Sequence, residues 1–152
     1  MDEPPRIIDG ALVQAFAICD ASVRYTDKSS TYHDGKPIGN VPGLALCRDM
    51  RTGDLLLFYC DENWETLGAR GFESLEQAKQ QAQMEYEGLS SRWRDTNYTR
   101  ADLLPEDLQP QCSFCGTPWF EADGLIKGDN AFICYKCVKR ATTGVTKIEN
   151  GA

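Results

Sequence analysis

The chain has 152 residues, 41% of them hydrophobic and 26% charged, which is enough apolar material for one ordinary domain, or for a domain with a small appendage. A net charge of −7 and a pI near 4.7 exclude the broad basic face that nucleic-acid binding requires. No run approaches the roughly 18 apolar residues of a transmembrane helix, and the acidic start Met1-Asp2-Glu3-Pro4-Pro5 is unlike a signal peptide, so a cytoplasmic protein without membrane contact is expected.

Residues 1–10 read as a loose lead-in. Ala11 to Cys19 is apolar with a single Gln and is bounded by Asp9-Gly10 and Asp20, which favours a buried strand over the competing helix. Ala21 to Tyr25 extends or follows it. Residues 26–43 are rich in Ser, Thr, Asp, Gly and Pro and read as a loop. That loop holds the only histidine, His33, between Tyr32 and Asp34. The trio is either a small acid–base cluster or a solvated turn around Asp34-Gly35. Gly43 to Arg48 reads as a strand and Thr52-Gly53 as a turn. Leu55 to Cys60 is continuously apolar, the pattern of a central strand covered on both faces. Asp61-Glu62-Asn63 is then a three-residue loop leading to a second hairpin arm over Trp64–Ala69.

Ser74 and Gln77 have the spacing of a capping box. Behind them Leu75, Ala78, Ala82, Tyr86 and Leu89 recur on one helical face, and Gly88 is a stop signal. Trp64 and Trp93 both adjoin expected core elements and read as core. Cys19, Cys47 and Cys60 lie in apolar surroundings and read as buried free thiols. Residues 1–94 therefore predict an α+β domain, a small and mainly antiparallel sheet with one packed helix. Residues 95–110, interrupted by Pro105 and Pro110, read as a linker.

Residues 111–152 form a different unit. Cys112-Ser113-Phe114-Cys115 and Cys134-Tyr135-Lys136-Cys137 are two Cys-x-x-Cys knuckles with the spacing of a structural zinc site. Each knuckle turns two thiolates to one side, and two facing knuckles make a tetrahedral sulfur cage. All four positions are then filled by protein, so the metal folds the chain rather than catalyses. Two disulfides or a redox pair are the alternative, disfavoured because a thiol cluster in a chain expected in the cytoplasm more often binds metal. The zinc ligands are thus Cys112, Cys115, Cys134 and Cys137, in a small finger of treble-clef or knuckle type.

The same stretch resembles a known family. Cys112-Ser113-Phe114-Cys115-Gly116, Leu125-Ile126 with Gly128, Phe132-Ile133-Cys134 and Cys137-Val138 are similar to the four-cysteine zinc finger at the N-terminus of the ClpX protein unfoldase. The resemblance implies zinc on the four cysteines, docking of adaptors or substrates, and a homodimer through the finger. It covers about 30 residues and departs from the family in two respects. No Gly-x-x-x-x-Gly-Lys-[Ser/Thr] is present, hence no P-loop motor. After Cys137 the chain runs Lys139-Arg140-Ala141-Thr142-Thr143-Gly144, a poor helix former ending in a breaker.

Two functions from different classes follow. One is a non-enzymatic zinc-binding interaction module, an adaptor or regulator whose partner is another protein. In it Trp119 and Phe120 either form an exposed docking patch or are covered by the first domain. The other is an acidic immunity or antitoxin protein that neutralises a basic toxin by direct binding, with Asp61, Glu62, Glu65, Asp54 and Asp49 clustered around the hairpin as its face. An enzyme using His33 is a third reading, without a visible catalytic constellation. Lys136, Lys139 and Arg140 read as a solvated basic cluster on an acidic chain.

Overall fold

In the computed structural model, which describes residues 1–144, the expected lead-in is ordered. Ile7–Ile8 is a short strand, β1, antiparallel to β2, Ala11–Ile18. Asp2 is also tied down, its carbonyl accepting a 2.9 Å hydrogen bond from the Trp64 indole. Two-residue strands carry no periodicity, which is why the sequence does not announce them.

Arg24–Tyr25 is β3, and Tyr32–His33 and Lys36–Pro37 are β4 and β5, a minimal hairpin inside the expected loop. Asp34 and Gly35 both take positive φ at its tip, the backbone of a two-residue hairpin turn. β6 is Gly43–Asp49, β7 is Leu55–Cys60 and β8 is Thr66–Phe72. Helix α1 is Leu75–Glu85, followed by β9 at Tyr86–Glu87, which pairs with β3, and by β10 at Arg94–Asp95. The main sheet is antiparallel with the order β1-β2-β6-β7-β8. β10 also pairs with β2, so β1 and β10 share one edge of β2 end to end.

The core follows from alternation along these strands and from one fault in it. The β2–β6 register shifts between Val13 and Ala15, leaving Gln14 as a bulge. Before the bulge Ala11 and Val13 face one side. After it Phe16 joins that side while Ala15 and Ala17 face the other. The bulge stays satisfied, because the Thr96 amide donates to the Gln14 carbonyl at 3.0 Å and the Thr96 hydroxyl to that of Val13 at 2.7 Å.

Two apolar clusters result. Ala15, Ala17, Leu44, Leu46, Leu57 and Tyr59 pack with Ala78, Ala82, Tyr86 and Leu89. Ile8, Val13, Phe16, Ala45, Cys47, Phe58, Cys60 and Trp64 pack on the other side, with Phe16 and Trp64 edge to face at 5.8 Å. Ile8 of β1 and Trp64 of the β7–β8 turn come from near opposite edges of the sheet, so the sheet curls to bring them together. β7 contributes to both clusters, as its unbroken apolar run predicts.

The β7–β8 connection differs from expectation. It spans residues 61–65 rather than three residues, because Trp64 takes φ +64° and drops into the core instead of starting a strand. Asp61 organises the turn, its carboxylate accepting from the Asn63 and Glu65 amides at 2.8 and 2.9 Å.

Ser74 caps α1 by accepting from the Gln77 amide at 3.1 Å. Ala78 and Ala82 are fully buried and let the helix approach the sheet closely. Leu75, assigned to the apolar stripe by spacing, is exposed at the first turn. The helix stops at Glu85, ahead of the expected glycine. Gly88 has φ +91°, and a Cβ there would lie 2.7 Å from the Ser22 carbonyl. Gly88→Ala combines left-handed strain with that clash and is expected to cost about 1–3 kcal/mol in urea unfolding.

Glu85 is completely buried against Tyr59, whose hydroxyl donates to Oε2 at 2.6 Å. Gln81 Nε2 donates to Oε1 at 3.0 Å, and Arg70 Nη1 lies 3.7 Å from the same oxygen.

Contacts divide the chain into two units, Met1–Leu103 and Leu104–Ala152. A 3-10 turn at Arg100–Asp102 lies at the end of the first unit, and in the second a 3-10 turn at Pro105–Leu108 is followed by β11, Leu125–Lys127, β12, Phe132–Cys134, and α2, Tyr135–Gly144. The stretch expected to make a poor helix after Cys137 is helical through Gly144. Cys134 and Cys137 anchor its start, and the Thr142 and Thr143 hydroxyls bond back to the Lys139 carbonyl at 2.8 and 3.2 Å. Residues 145–152, the end of the expected finger domain, lie outside the described residues. Among the described residues no helix is long and apolar enough to cross a membrane.

Candidate metal centre

The first knuckle is a tight turn. The Gly116 amide donates to the Cys112 carbonyl at 2.8 Å, and the Cys112 amide to that of Thr117 at 2.9 Å. Gly116 has φ +77°, which glycine adopts without strain. β11 and β12 then form a hairpin in which Leu125 faces Cys134 and Ile126 faces Ile133. The hairpin carries Cys134 back, and the first turn of α2 carries Cys137. Knuckle and hairpin are tied through Ser113, whose amide donates to the Phe132 carbonyl at 2.8 Å while its hydroxyl accepts from the Phe132 amide at 3.0 Å. Knuckle, hairpin and helix in this order form a treble clef.

The four sulfurs converge, all lying within 4.8 Å of one another. Cys115 and Cys134 Sγ are 3.7 Å apart, too far for a disulfide near 2.05 Å. That separation suits a tetrahedron, since Zn–S bonds of about 2.3 Å give edges of about 3.8 Å. Ala122, Leu125 and Ile133 pack against the cluster.

The electrostatics also ask for a cation. Burial works against ionising Cys112, but the Cys115, Cys134 and Phe114 amides outweigh it and draw the thiol down to about 6. The Cys134 amide is 3.3 Å from the Cys112 sulfur. Burial, with the neighbouring sulfurs adding to it, pushes Cys137 up to about 12. One site favours a thiolate and another resists it, and a divalent ion at the centre would stabilise all four as thiolates. Soft sulfur donors in a closed tetrahedral set fit zinc.

The site is therefore a four-cysteine zinc centre whose ligands are all supplied by this chain. The finger is of a specific kind: residues 110–146 match the ClpX C4-type zinc finger family, with zinc as its metal. The match leaves Met1–Leu103 outside it. No curated protein and no solved structure matches the chain.

The other candidate residues fall out differently. Phe120 is buried and Trp119 half-buried, the two rings meeting edge to face at 5.6 Å. They do not form an open patch. Among the described residues of this unit, the exposed large apolar side chains are Phe114, Ile126 and Tyr135, at 73, 59 and 51% exposure, with Leu104. Phe114 and Tyr135 each lie between the two cysteines of a knuckle. A knuckle whose two cysteines point inward turns the residues between them outward, and that is the signal by which they could have been found.

The acidic residues do not gather around one hairpin end. Asp49, the last residue of β6, and Asp54 flank the β6–β7 turn, and Asp61, Glu62 and Glu65 belong to the β7–β8 turn, at opposite ends of a six-residue strand roughly 17–20 Å long. Asp49 is engaged like Asp61: its carboxylate accepts from the Arg51 and Thr52 amides at 2.9 and 2.7 Å. Those amide bonds overcome its partial burial and hold the carboxyl below its ordinary range. Glu62 and Glu65 are exposed.

His33 stands on the β4–β5 hairpin, its Nε2 3.4 Å from Asp34 Oδ2. It lines an open concavity of about 420 Å³ with Asp34, Lys36, Pro37, Ile38 and Leu67. None of these supplies a titratable partner from outside the hairpin. Cys47 and Cys60 are buried and Cys19 half-buried. Burial, reinforced by nearby acids, raises the Cys19 and Cys60 thiols to about 12, leaving them inert.

Proposed function

We propose that this chain is a non-enzymatic protein-interaction module, an adaptor or regulator, in which zinc builds a small rigid finger that another protein docks against. The supporting observation is the exposure of Phe114 and Ile126 on a unit whose metal site is closed. A closed centre has no position for water or substrate, so the ion contributes shape. Large apolar side chains left outside a small finger are characteristic of a contact surface. The finger family adds support, because members carry this element as a docking module. The acidic residues of the first unit, split between two turns, offer a basic toxin less than one continuous face, and the interaction reading needs no basic partner.

The test is Phe114→Ser combined with Ile126→Ser in the full chain. Zinc content should remain one ion per chain, since neither residue is a ligand. Site-specific photocrosslinking from Tyr135 in cells should give a discrete protein adduct with the parent chain. The double variant should lose at least about 90% of it, as expected when two apolar contacts of about 1.5–3 kcal/mol each are removed. An undiminished adduct would place docking elsewhere and defeat the reading.

A further inference from the structure

We propose that Cys115 is the oxidation-sensitive ligand of the zinc cage, attacked first by hydrogen peroxide, with Cys134 closing the resulting disulfide and opening the finger. The inference rests on zinc ligation by the four cysteines and is independent of the docking surface.

The cage is asymmetric. Cys112, Cys134 and Cys137 are 2, 3 and 8% exposed, whereas Cys115 is open to solvent. Its sulfur lies beside a concavity of about 240 Å³ formed with Phe114, Cys137, Arg140 and Ala141, ample for a molecule of two oxygens. The Arg140 guanidinium on that wall favours anionic leaving groups. The Thr117 hydroxyl is 3.1 Å from the Cys115 sulfur and can orient an incoming oxygen. Cys134 Sγ, 3.7 Å away, is within reach of a second displacement.

The chemistry balances as two displacements. The Cys115 sulfur attacks one peroxide oxygen, an S–O bond forms, the O–O bond breaks, and the departing hydroxide takes a proton from solvent to become water. Cys115 is then a sulfenic acid. The Cys134 thiolate attacks that sulfur, the S–S bond forms, and the second hydroxide leaves and is protonated. Two thiolates have given two electrons to one peroxide, and two waters result. The sulfurs must close from 3.7 Å to about 2.05 Å, which pulls Cys134 out of its hydrogen bond to Cys112. With two of four donors removed the metal is no longer held, and the hairpin and α2 lose their anchor.

The experiment uses the full zinc-loaded chain. In unmodified protein, brief alkylation with N-ethylmaleimide followed by peptide mapping should label Cys115 roughly tenfold faster than the other three ligands. Limiting peroxide should release zinc to a colorimetric chelator in step with a Cys115–Cys134 disulfide, and dithiothreitol with added zinc should restore the finger. Cys115→His keeps a Cys3His ligand set and should release zinc roughly tenfold more slowly under peroxide. Uniform alkylation, or a disulfide between any other pair, overturns the proposal. So does an unchanged release rate in a zinc-loaded C115H. Should C115H fail to load, labelling order and disulfide map in unmodified protein still decide. A chain without zinc as isolated would overturn the metal assignment itself.

Discussion

Withdrawing zinc is expected to unfold the finger and leave the sheet of the first unit intact. The finger's strands are three residues each, and the buried residues around its centre are chiefly the ligands themselves with Pro118 and Phe120. So little apolar burial cannot by itself offset the conformational entropy lost in ordering the finger. Zinc supplies the difference: apparent binding energies in such fingers are about 10–16 kcal/mol and appear directly as folding energy. The first unit has two apolar clusters of its own and holds no metal ligand. Hydrogen exchange read by mass spectrometry should show amides of Cys112–Cys137 losing protection in a strong chelator while Leu44–Cys47 and Leu55–Cys60 keep theirs. Cys134→Ser should behave the same way without chelator. Collapse of protection in β6 and β7 on metal loss would show that the two units fold as one.

The second large effect concerns Glu85. Tyr59→Phe removes one hydroxyl and little volume, yet it leaves Oε2 of the fully buried Glu85 carboxyl group without its 2.6 Å donor. Burial, and then the bond to Glu85, push the Tyr59 hydroxyl well above the ordinary tyrosine range, so it remains a donor throughout the accessible pH range. Stranding a buried acceptor costs about 1–3 kcal/mol, and that loss should appear in the urea midpoint with an unchanged slope. Replacing both residues, Tyr59→Phe with Glu85→Leu, should recover part of the loss, because a pair removed together leaves nothing unsatisfied. Arg70, 3.7 Å from Oε1 and partly exposed, is too far and too wet to compensate. A loss below about 0.5 kcal/mol in Tyr59→Phe would mean that water or Arg70 replaces the donor.

Much of this architecture is legible in the residues, and the reasons are local. Ala11–Ile18, Gly43–Asp49 and Leu55–Cys60 announce themselves because burying a strand demands apolar side chains along it. The zinc site is legible because each knuckle is complete within four residues and only the pairing of knuckles is long-range. What escapes is what depends on tertiary partners. β1 and β10 are two residues long and exist only because β2 offers a free edge. Trp64 reads as a strand residue until its left-handed backbone is seen. The sequence leaves Trp119 and Phe120 open between an exposed patch and a covered pair, and only the fold shows Phe120 buried against Trp119 while Phe114 and Ile126 stay exposed. Glu85 was within reach: it lies seven residues after Ala78 and three after Ala82, on the face the helical period assigns to the core, and only its charge argued against it.

The strand order ends on β8, whose outer side has no neighbouring strand in the sheet. An edge strand is in general a template on which further chains can stack, and here the segment carrying Ser30, Thr31 and Ile38 lies against β8. β8 reads Thr-Leu-Gly-Ala-Arg-Gly-Phe, with a cation near its middle and glycines on either side of it. Glycine weakens an extended template and a repeated like charge opposes stacking in register. A cation at Arg70 is of the kind that disfavours in-register stacking of edge strands, in addition to its place beside Glu85. Its replacement by an aliphatic residue would compromise colloidal behaviour in concentrated solution before it compromised the fold.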